Sequence, residues 1–264
     1  MAGYFGTDQQ KALQARAEVS VPEMSTKPGL CQNGRMVGCD DLDALGWPAI
    51  YEILDRDGFV GFRLIPAARE TEVRDRLSER GFRLDTWNLF IGPKHEILSS
   101  CQEIASRPLP PGLSLLPMPD EPDSPYTRSV QALIASTGIM PFSGSLLAGL
   151  LGPARTIVIG TEERSIAAAA HGYRPHNAES RFHDYAWGGL VAVSDAYRGL
   201  GLGRQINAIL AVTVLREFGA SHLYEMISAD NTASRRMAEA CGLRHDPGFL
   251  CGSATRSDRE RFTR

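Results

Sequence analysis

The sequence predicts an α/β protein built from two units, a smaller one in front and a larger, more regular one behind. Three observations carry this. Short strand-like apolar runs alternate with longer stretches whose apolar residues recur every three or four positions. Residues 108–123 hold Pro108, Pro110, Pro111, Pro117, Pro119 and Pro122, a density that reads as a linker. The 264 residues are 43% hydrophobic and 22% charged, which suits one large or two small domains with a real core.

In chain order, residues 1–34 are poorly periodic. A short helix over Gln9–Glu18 is broken by Pro22, Pro28 and Gly29, and the stretch reads as a mobile or loosely docked arm. Residues 35–107 form the small unit: an amphipathic piece at Trp47–Leu54, a strand at Phe59–Ile65, a helix over Glu70–Arg80 stopped by Gly81, a strand at Phe82–Ile91 and a helix over Pro93–Ser106. The linker contains a short strand, Leu113–Leu116. The larger unit spans 112–252. Helices are expected at Tyr126–Ser136 and Ser145–Leu151, and a hairpin joins Thr156–Gly160 to Ser165–His171. His183–Val193 is a long strand whose Gly188-Gly189 suggests a bulge or a close backbone approach. A helix at Gln205–Phe218, a strand at His222–Ser228, a helix at Thr232–Ala240 and a last strand at Leu243–Cys251 follow, with 253–264 as a tail.

Bulk properties narrow the function. A net charge of -3 argues against nucleic acid as a partner. No apolar run reaches the roughly 18 residues of a membrane span, and the first 30 residues lack a signal-peptide pattern. Cys31, Cys39, Cys101, Cys241 and Cys251 show no paired spacing. They read as free thiols of a reducing cytoplasm, with neither a disulfide frame nor a metal site.

The chemistry centres on Gly189–Arg204. An apolar strand runs into Arg198-Gly199-Leu200-Gly201-Leu202-Gly203-Arg204 and then into a helix. Amides at a helix N-terminus, unobstructed by side chains, make an anion site. A dinucleotide fingerprint fails, because Arg204 and Gln205 stand where its third glycine belongs and Ser194–Arg198 separate the loop from its strand. A phosphate P-loop fails for want of Gly-Lys-Ser/Thr.

The loop resembles instead the acyl-CoA signature of the GNAT N-acetyltransferase superfamily, Arg/Gln-x-x-Gly-x-Gly/Ala. Asn231-Thr-Ala-Ser234 and Met237-Ala-Glu-Ala-Cys-Gly242-Leu243 resemble its second motif. The resemblance covers roughly residues 112–252. It implies a mixed, mostly antiparallel GNAT-type sheet with helices on both faces, and acetyl-CoA as co-substrate. It also implies a CoA pyrophosphate on Arg198 to Arg204, pantetheine along the backbone of Val191 and Val193, and contacts from Asn231 and Ser234. Asn231 reads equally as the cap of its helix, and both roles can hold.

Acetyl transfer to an amine needs a proton acceptor, an oxyanion donor and an acid for the thiolate. By resemblance, the oxyanion donor is a backbone N–H near Val191 or Ala192. The family's usual tyrosine acid falls at Ala238, and the glutamate base of its peptide-acetylating members falls at Met226. Glu225 is one residue off, which turns it to the other face unless a bulge intervenes. His183 and Tyr185 are the remaining acid/base candidates; solvation at the sheet edge is their ordinary reading. Met140, Phe142, Tyr185 and Trp187 are offered as an apolar acceptor wall. The acceptor is a small amine or a peptide. Loss of the tyrosine also allows a CoA-binding sensor that does no chemistry.

Ile65–Arg83 and Ile227–Arg244 echo one another: strand, helix, Gly-apolar-Arg, strand. The small unit is either a shortened GNAT-like half without the cofactor loop or a generic strand-helix-strand. In either case it covers part of the acceptor cleft or mediates a homodimer. Related strand orders in the two halves would favour the first.

Overall fold

The computed structural model describes residues 2–258. Thr7 opens α1 (Asp8–Val19): its hydroxyl accepts from the Gln10 amide and the Gln10 side chain accepts from the Thr7 amide, a reciprocal cap. α2 (Val21–Met24) and a hairpin of β1 (Leu30–Asn33) and β2 (Met36–Cys39) follow. The expected loose arm is therefore docked, because Leu13, Ala17 and Met24 bury themselves. Next come α3 (Leu42–Leu45), capped by Asp41, and α4 (Trp47–Asp57), which ends at Gly58 in the left-handed region with φ 76°. β3 (Phe59–Pro66), α5 (Glu70–Ser78), β4 (Phe82–Pro93) and α6 (Lys94–Ser106) complete the front half.

After the proline-rich stretch come β5 (Ser114–Leu116), α7 (Pro125–Ser136), capped by Ser124, and α8 (Gly144–Leu147). β6 (Ala154–Gly160), β7 (Ile166–Tyr173) and β8 (Tyr185–Val193) form an antiparallel run. α9 (Leu202–Glu217), β9 (His222–Ile227) and α10 (Thr232–Ala240) lead to β10 (Arg244–His245) and β11 (Phe249–Arg256). The single last strand expected at Leu243–Cys251 is thus two. Asp246 to Gly248 turn between them, with the Asp246 carboxylate accepting from the Gly248 amide. β11 takes residues 253–256 out of the expected tail; residues 259–264 lie outside the described residues.

All eleven strands of the described residues join one mixed, mostly antiparallel sheet in the order β1-β2-β3-β11-β4-β9-β8-β7-β6-β5, with β10 also on β4. α6 and α9 cover one face through Ile97, Cys101, Ile206, Leu210 and Val214. α7 and α8 cover the other through Val130, Ile134, Leu146 and Leu147. A third cluster, including Ile50, Leu54, Phe62, Val73 and Leu77, is the core of the front half.

The two halves exchange strands. β4 leaves α5 of the front half and pairs with β9 of the rear half. β11 leaves the rear half and inserts between β3 and β4. Aligning Gly81 with Gly242 sets Asn88 against Phe249 and Pro66 against Ile227. The structure pairs Asn88 with Ile227 and Phe249 with Pro66. The echo between the halves therefore extends from sequence to strand order and register. It departs from symmetry at β10, where the turn at Asp246 to Gly248 shifts the pairing.

Candidate functional site

β8 and β9 run parallel but pair only at Tyr185↔His222, Ala186↔Leu223 and Trp187↔Tyr224. Beyond Trp187 they part, so Gly188–Val193 presents a strand edge without a partner strand on that side. The β7–β8 register shifts between Ala169 and His171, setting Leu190 and Val191 against one residue. Leu190 sits at φ 52°, strain on the order of 1–3 kcal/mol for a residue with a Cβ. The bulge expected at Gly188-Gly189 falls just after it. Gly189 has another cause: a Cβ there would stand 2.6 Å from the Trp187 ring.

The parted strands open a cavity of about 990 Å³. Its walls include Gly188 to Val191 on one strand and Glu225 to Ser228 on the other. Asn231, Ser234 and Met237 line it from α10, and Arg35, Arg63, Phe142 and Trp187 from the α7 side. The front half thus supplies part of the wall.

Glu225 points beneath α9, where its carboxylate accepts from Asn207 Nδ2 at 2.8 Å. Met226 faces the other way, so the expected reversal of faces is present without a bulge in β9. Both residues line the cavity because the sheet is open between β8 and β9. Glu225 is 3% exposed, and burial raises its pKa to about 7 against the opposing pull of the Asn207 hydrogen bond. A carboxylate so placed is suited to proton uptake near neutral pH.

The loop expected to hold the cofactor folds as a strand-to-helix turn. Gly199 and Gly201 have φ of 80° and 78°, and a Cβ at either would meet nothing within 4 Å. The backbone there is open to an incoming group. α9 begins at Gly201 without a side-chain cap, so its first amides remain available to an anion. Leu202 and Gly203 pass into the helix, and Arg204 follows in its first turn. Arg198 and Leu200 are exposed; the Arg198 guanidinium meets the Asp195 carboxylate at 2.7 Å. Val191, half-buried, lines the cavity, while the Ala192 side chain is buried in the core. Val193 continues the edge. Asn231 caps α10, its Oδ1 accepting from the Ser234 amide at 3.0 Å, and both residues still line the cavity. These groups fit a CoA pyrophosphate and a strand-like pantetheine.

His183 and Tyr185 do not line the cavity. His183 lies in a turn, where its amide donates to the Ser180 carbonyl. Tyr185 packs on Phe182 and, with ring centroids 4.4 Å apart, on His222. They sit where β8 and β9 are still paired, before the opening. Of the expected acceptor wall, Phe142 and Trp187 line the cavity; Met140 and Tyr185 do not. Ala238 and Cys241 are buried in the core.

Sequence reading missed a buried polar chain across the two halves. Asp40 Oδ2 lies 2.6 Å from His176 Nδ1, and His176 Nε2 lies 3.0 Å from the Tyr224 hydroxyl. Arg63 donates to the Tyr224 hydroxyl at 3.0 Å and to the Tyr173 hydroxyl at 2.7 Å. The thiol of Cys31, a carboxylate oxygen of Asp40 and a ring nitrogen of His176 also lie within 4.8 Å of one another. Both ring nitrogens of His176 are engaged, so the cluster is knit as a hydrogen-bond chain. Residues 63 and 176 are far in sequence from residues 31 and 40, and only the approach of the last two is signalled locally, by the unread hairpin β1–β2 that turns at Gly34-Arg35.

Residues 120–243 match the family model described as Acetyltransferase (GNAT) family. A GCN5-related N-acetyltransferase from Kribbella flavida is similar in fold, with TM-score 0.55 and 12% identity over 86% of this chain and 80% of that one. A Drosophila protein gives TM-score 0.57 and 13% identity over 93% and 88%. A tandem GNAT protein from the clavulanic acid biosynthesis pathway gives 0.51 and 14% over 81% and 69%. No curated protein matches the chain. No helix among the described residues is long and apolar enough to cross a membrane.

Proposed function

We propose that the chain, whose residues 120–243 match the model of the Acetyltransferase (GNAT) family, is an acyltransferase that moves an acetyl group from acetyl-CoA to a primary amine by direct attack. The observation that carries this reading is the opening between β8 and β9, whose lining includes the buried carboxyl of Glu225 and Met237, the latter beside Gly203 in the first turn of the uncapped α9. Amides at the start of α9 hold the pyrophosphate. The free edge of β8 at Val191 and Val193 orients pantetheine, and Asn231 and Ser234 border it. CoA supplies the activated acyl thioester.

Glu225 takes the proton from the attacking amine. An N–H at the Leu190–Val191 bulge stabilises the oxyanion, the strained backbone aiming a donor that a regular strand would commit to its ladder. With alanine at 238, no tyrosine donates to the thiolate, and the proton on Glu225 is the local source for it. His183 and Tyr185, outside the cavity, have no part in this scheme. The five cysteines are buried and form no disulfide among the described residues, in keeping with a reducing compartment such as the cytoplasm.

The test is acetyl-CoA turnover against a panel of amines, with Glu225→Gln beside the parent protein. Transfer is expected, with kcat rising through about pH 7 in the parent, and a loss of about a hundredfold and of that pH step in the variant. CoA binding with no transfer to any amine would replace this reading with that of an acyl-CoA sensor, which the alanine at 238 favours.

A further inference from the structure

The cavity holds a second polar centre that acetyl-CoA chemistry does not use. Arg63 is 1% exposed and lines the cavity. Its position follows from a bulge in β3: the β3–β11 register shifts between Leu250 and Gly252, and Leu64 is held at φ 53°. Phe62 and Ile65 consequently share the front-half core, while Arg63 turns to the opposite face. Three rings surround its guanidinium, those of Trp187 at 5.4 Å and of Tyr173 and Tyr224 at 5.7 Å.

A guanidinium has five N–H donors. Two are given to phenol oxygens, and no carboxylate pairs with Arg63 among the described residues. Its Nε–H is buried without a partner, and so is the indole Nε1–H of Trp187 in the same wall. Burying a cation and a donor unsatisfied is costly unless something compensates them. Across the opening, Glu225 is a buried carboxyl whose neighbour, Asn207, is neutral. The lining of one cavity therefore includes a cation with no carboxylate partner among the described residues and a buried carboxyl, on opposite sides of the sheet.

We propose that the acceptor is an amino acid, with its carboxylate bound at Arg63 Nε and Trp187 Nε1 and its amine directed toward Glu225. This deepens the acetyl-transfer reading and rests on it. A neutral amine would leave the Arg63 and Trp187 donors unpaired. A carboxylate accepts from both, and charge-assisted bonds to it are the strong kind. Arg35 stands in the same wall, where its Nε donates to the Met140 carbonyl at 2.9 Å. It adds positive potential around the carboxylate.

The test is calorimetric binding to the full chain saturated with CoA. Each common α-amino acid is compared with its α-carboxamide, and the pairs are then repeated as acceptors in turnover. At least one amino acid is expected to bind about tenfold or more tightly than its amide, the gain of one charge-assisted hydrogen bond. Trp187→Phe, which keeps the ring and loses the N–H, and Arg63→Lys should each shrink that ratio severalfold while CoA affinity is unchanged. Equal affinity of acid and amide throughout the panel would overturn the proposal, as would a preference that survives both variants. Selective binding without acetylation would leave the carboxylate site standing and sink acetyl transfer instead.

Discussion

Two buried titrating side chains give stability opposite pH dependences. His171 is wholly buried, and burial lowers its pKa to about 3. Thr156 Oγ1 donates to the Leu147 carbonyl and so accepts from His171 Nδ1, leaving Nε2 a bare, unpartnered acceptor. The fold thus keeps this ring neutral. Its contribution is complete above the unfolded value near 6.5 and is lost as pH falls toward 3. Glu225 has the reverse sign, its pKa being raised from 4.5 to about 7. Its contribution is complete below 4.5 and is lost as pH rises through 7, where the buried charge costs up to roughly 3 kcal/mol. Glu225→Gln should therefore raise the Tm at pH 8 by several degrees, leave it nearly unchanged at pH 4.5, and cut turnover at pH 8, where the parent carboxylate is ionised. Thermal melts at the two pH values check this; an equal shift at both would show that packing, and not charge, set the effect. His171→Gln should flatten the fall in Tm between pH 6.5 and 4.5, whatever it costs at pH 7.5.

At the scale of elements, the turn into α9 holds one glycine that its backbone conformation requires and one that it does not. Gly203 lies within the helix, and a Cβ there would touch Val193 and Met237 at ordinary distances of 3.7 and 3.9 Å. Gly203→Ala should leave the fold as stable or firmer by roughly 0.5–1 kcal/mol and, because the loop signature admits alanine at this position, should keep the CoA affinity. Gly201→Ala meets no neighbour but must hold φ 78°, at a cost of roughly 1–2 kcal/mol. Melting curves paired with CoA titration distinguish the two; a large loss of CoA affinity in Gly203→Ala would show that a side chain at this position obstructs the close approach. This turn was legible in sequence because glycine spacing is local, as were most of the helices and strands, though not α2, β1, β2 or α3. Glu225 was legible only as a residue on the wrong face, since pattern shows alternation along β9 but not the parting of β8 from it. Arg63 was invisible: a charged residue in an apolar run shows its surroundings only when β11, from the far end of the chain, sets the bulge beside it. His183 and Tyr185 were overvalued for the same reason, because their distance from the opening depends on where the parallel pairing stops.

For the whole molecule, the exchange of β4 and β11 makes two similar halves into one sheet. β11 carries Leu250, Cys251 and Ala254, all buried, and pairs on both sides along most of its length. Without it, β3 and β4 face each other across a missing strand and the front core loses part of one wall. The loss combines several buried side chains, each worth about 1.5–3 kcal/mol for the larger ones, with two ladders of hydrogen bonds. That rivals the 5–15 kcal/mol by which whole domains are held. The cavity depends on the same exchange, since Arg63 comes from β3, Glu225 from β9, and Gly252 and Ser253 of its lining from β11 itself. The chain should therefore unfold in one transition, reported alike by far-ultraviolet circular dichroism and by the fluorescence of Trp47 in front and Trp187 behind. Ending the chain at residue 247 should abolish CoA binding as well as the front-half fold, although every residue expected to touch CoA is retained. Two separated transitions, or a shortened chain that still binds CoA with full affinity, would mean that the rear half closes its own sheet and that the front half only borders it.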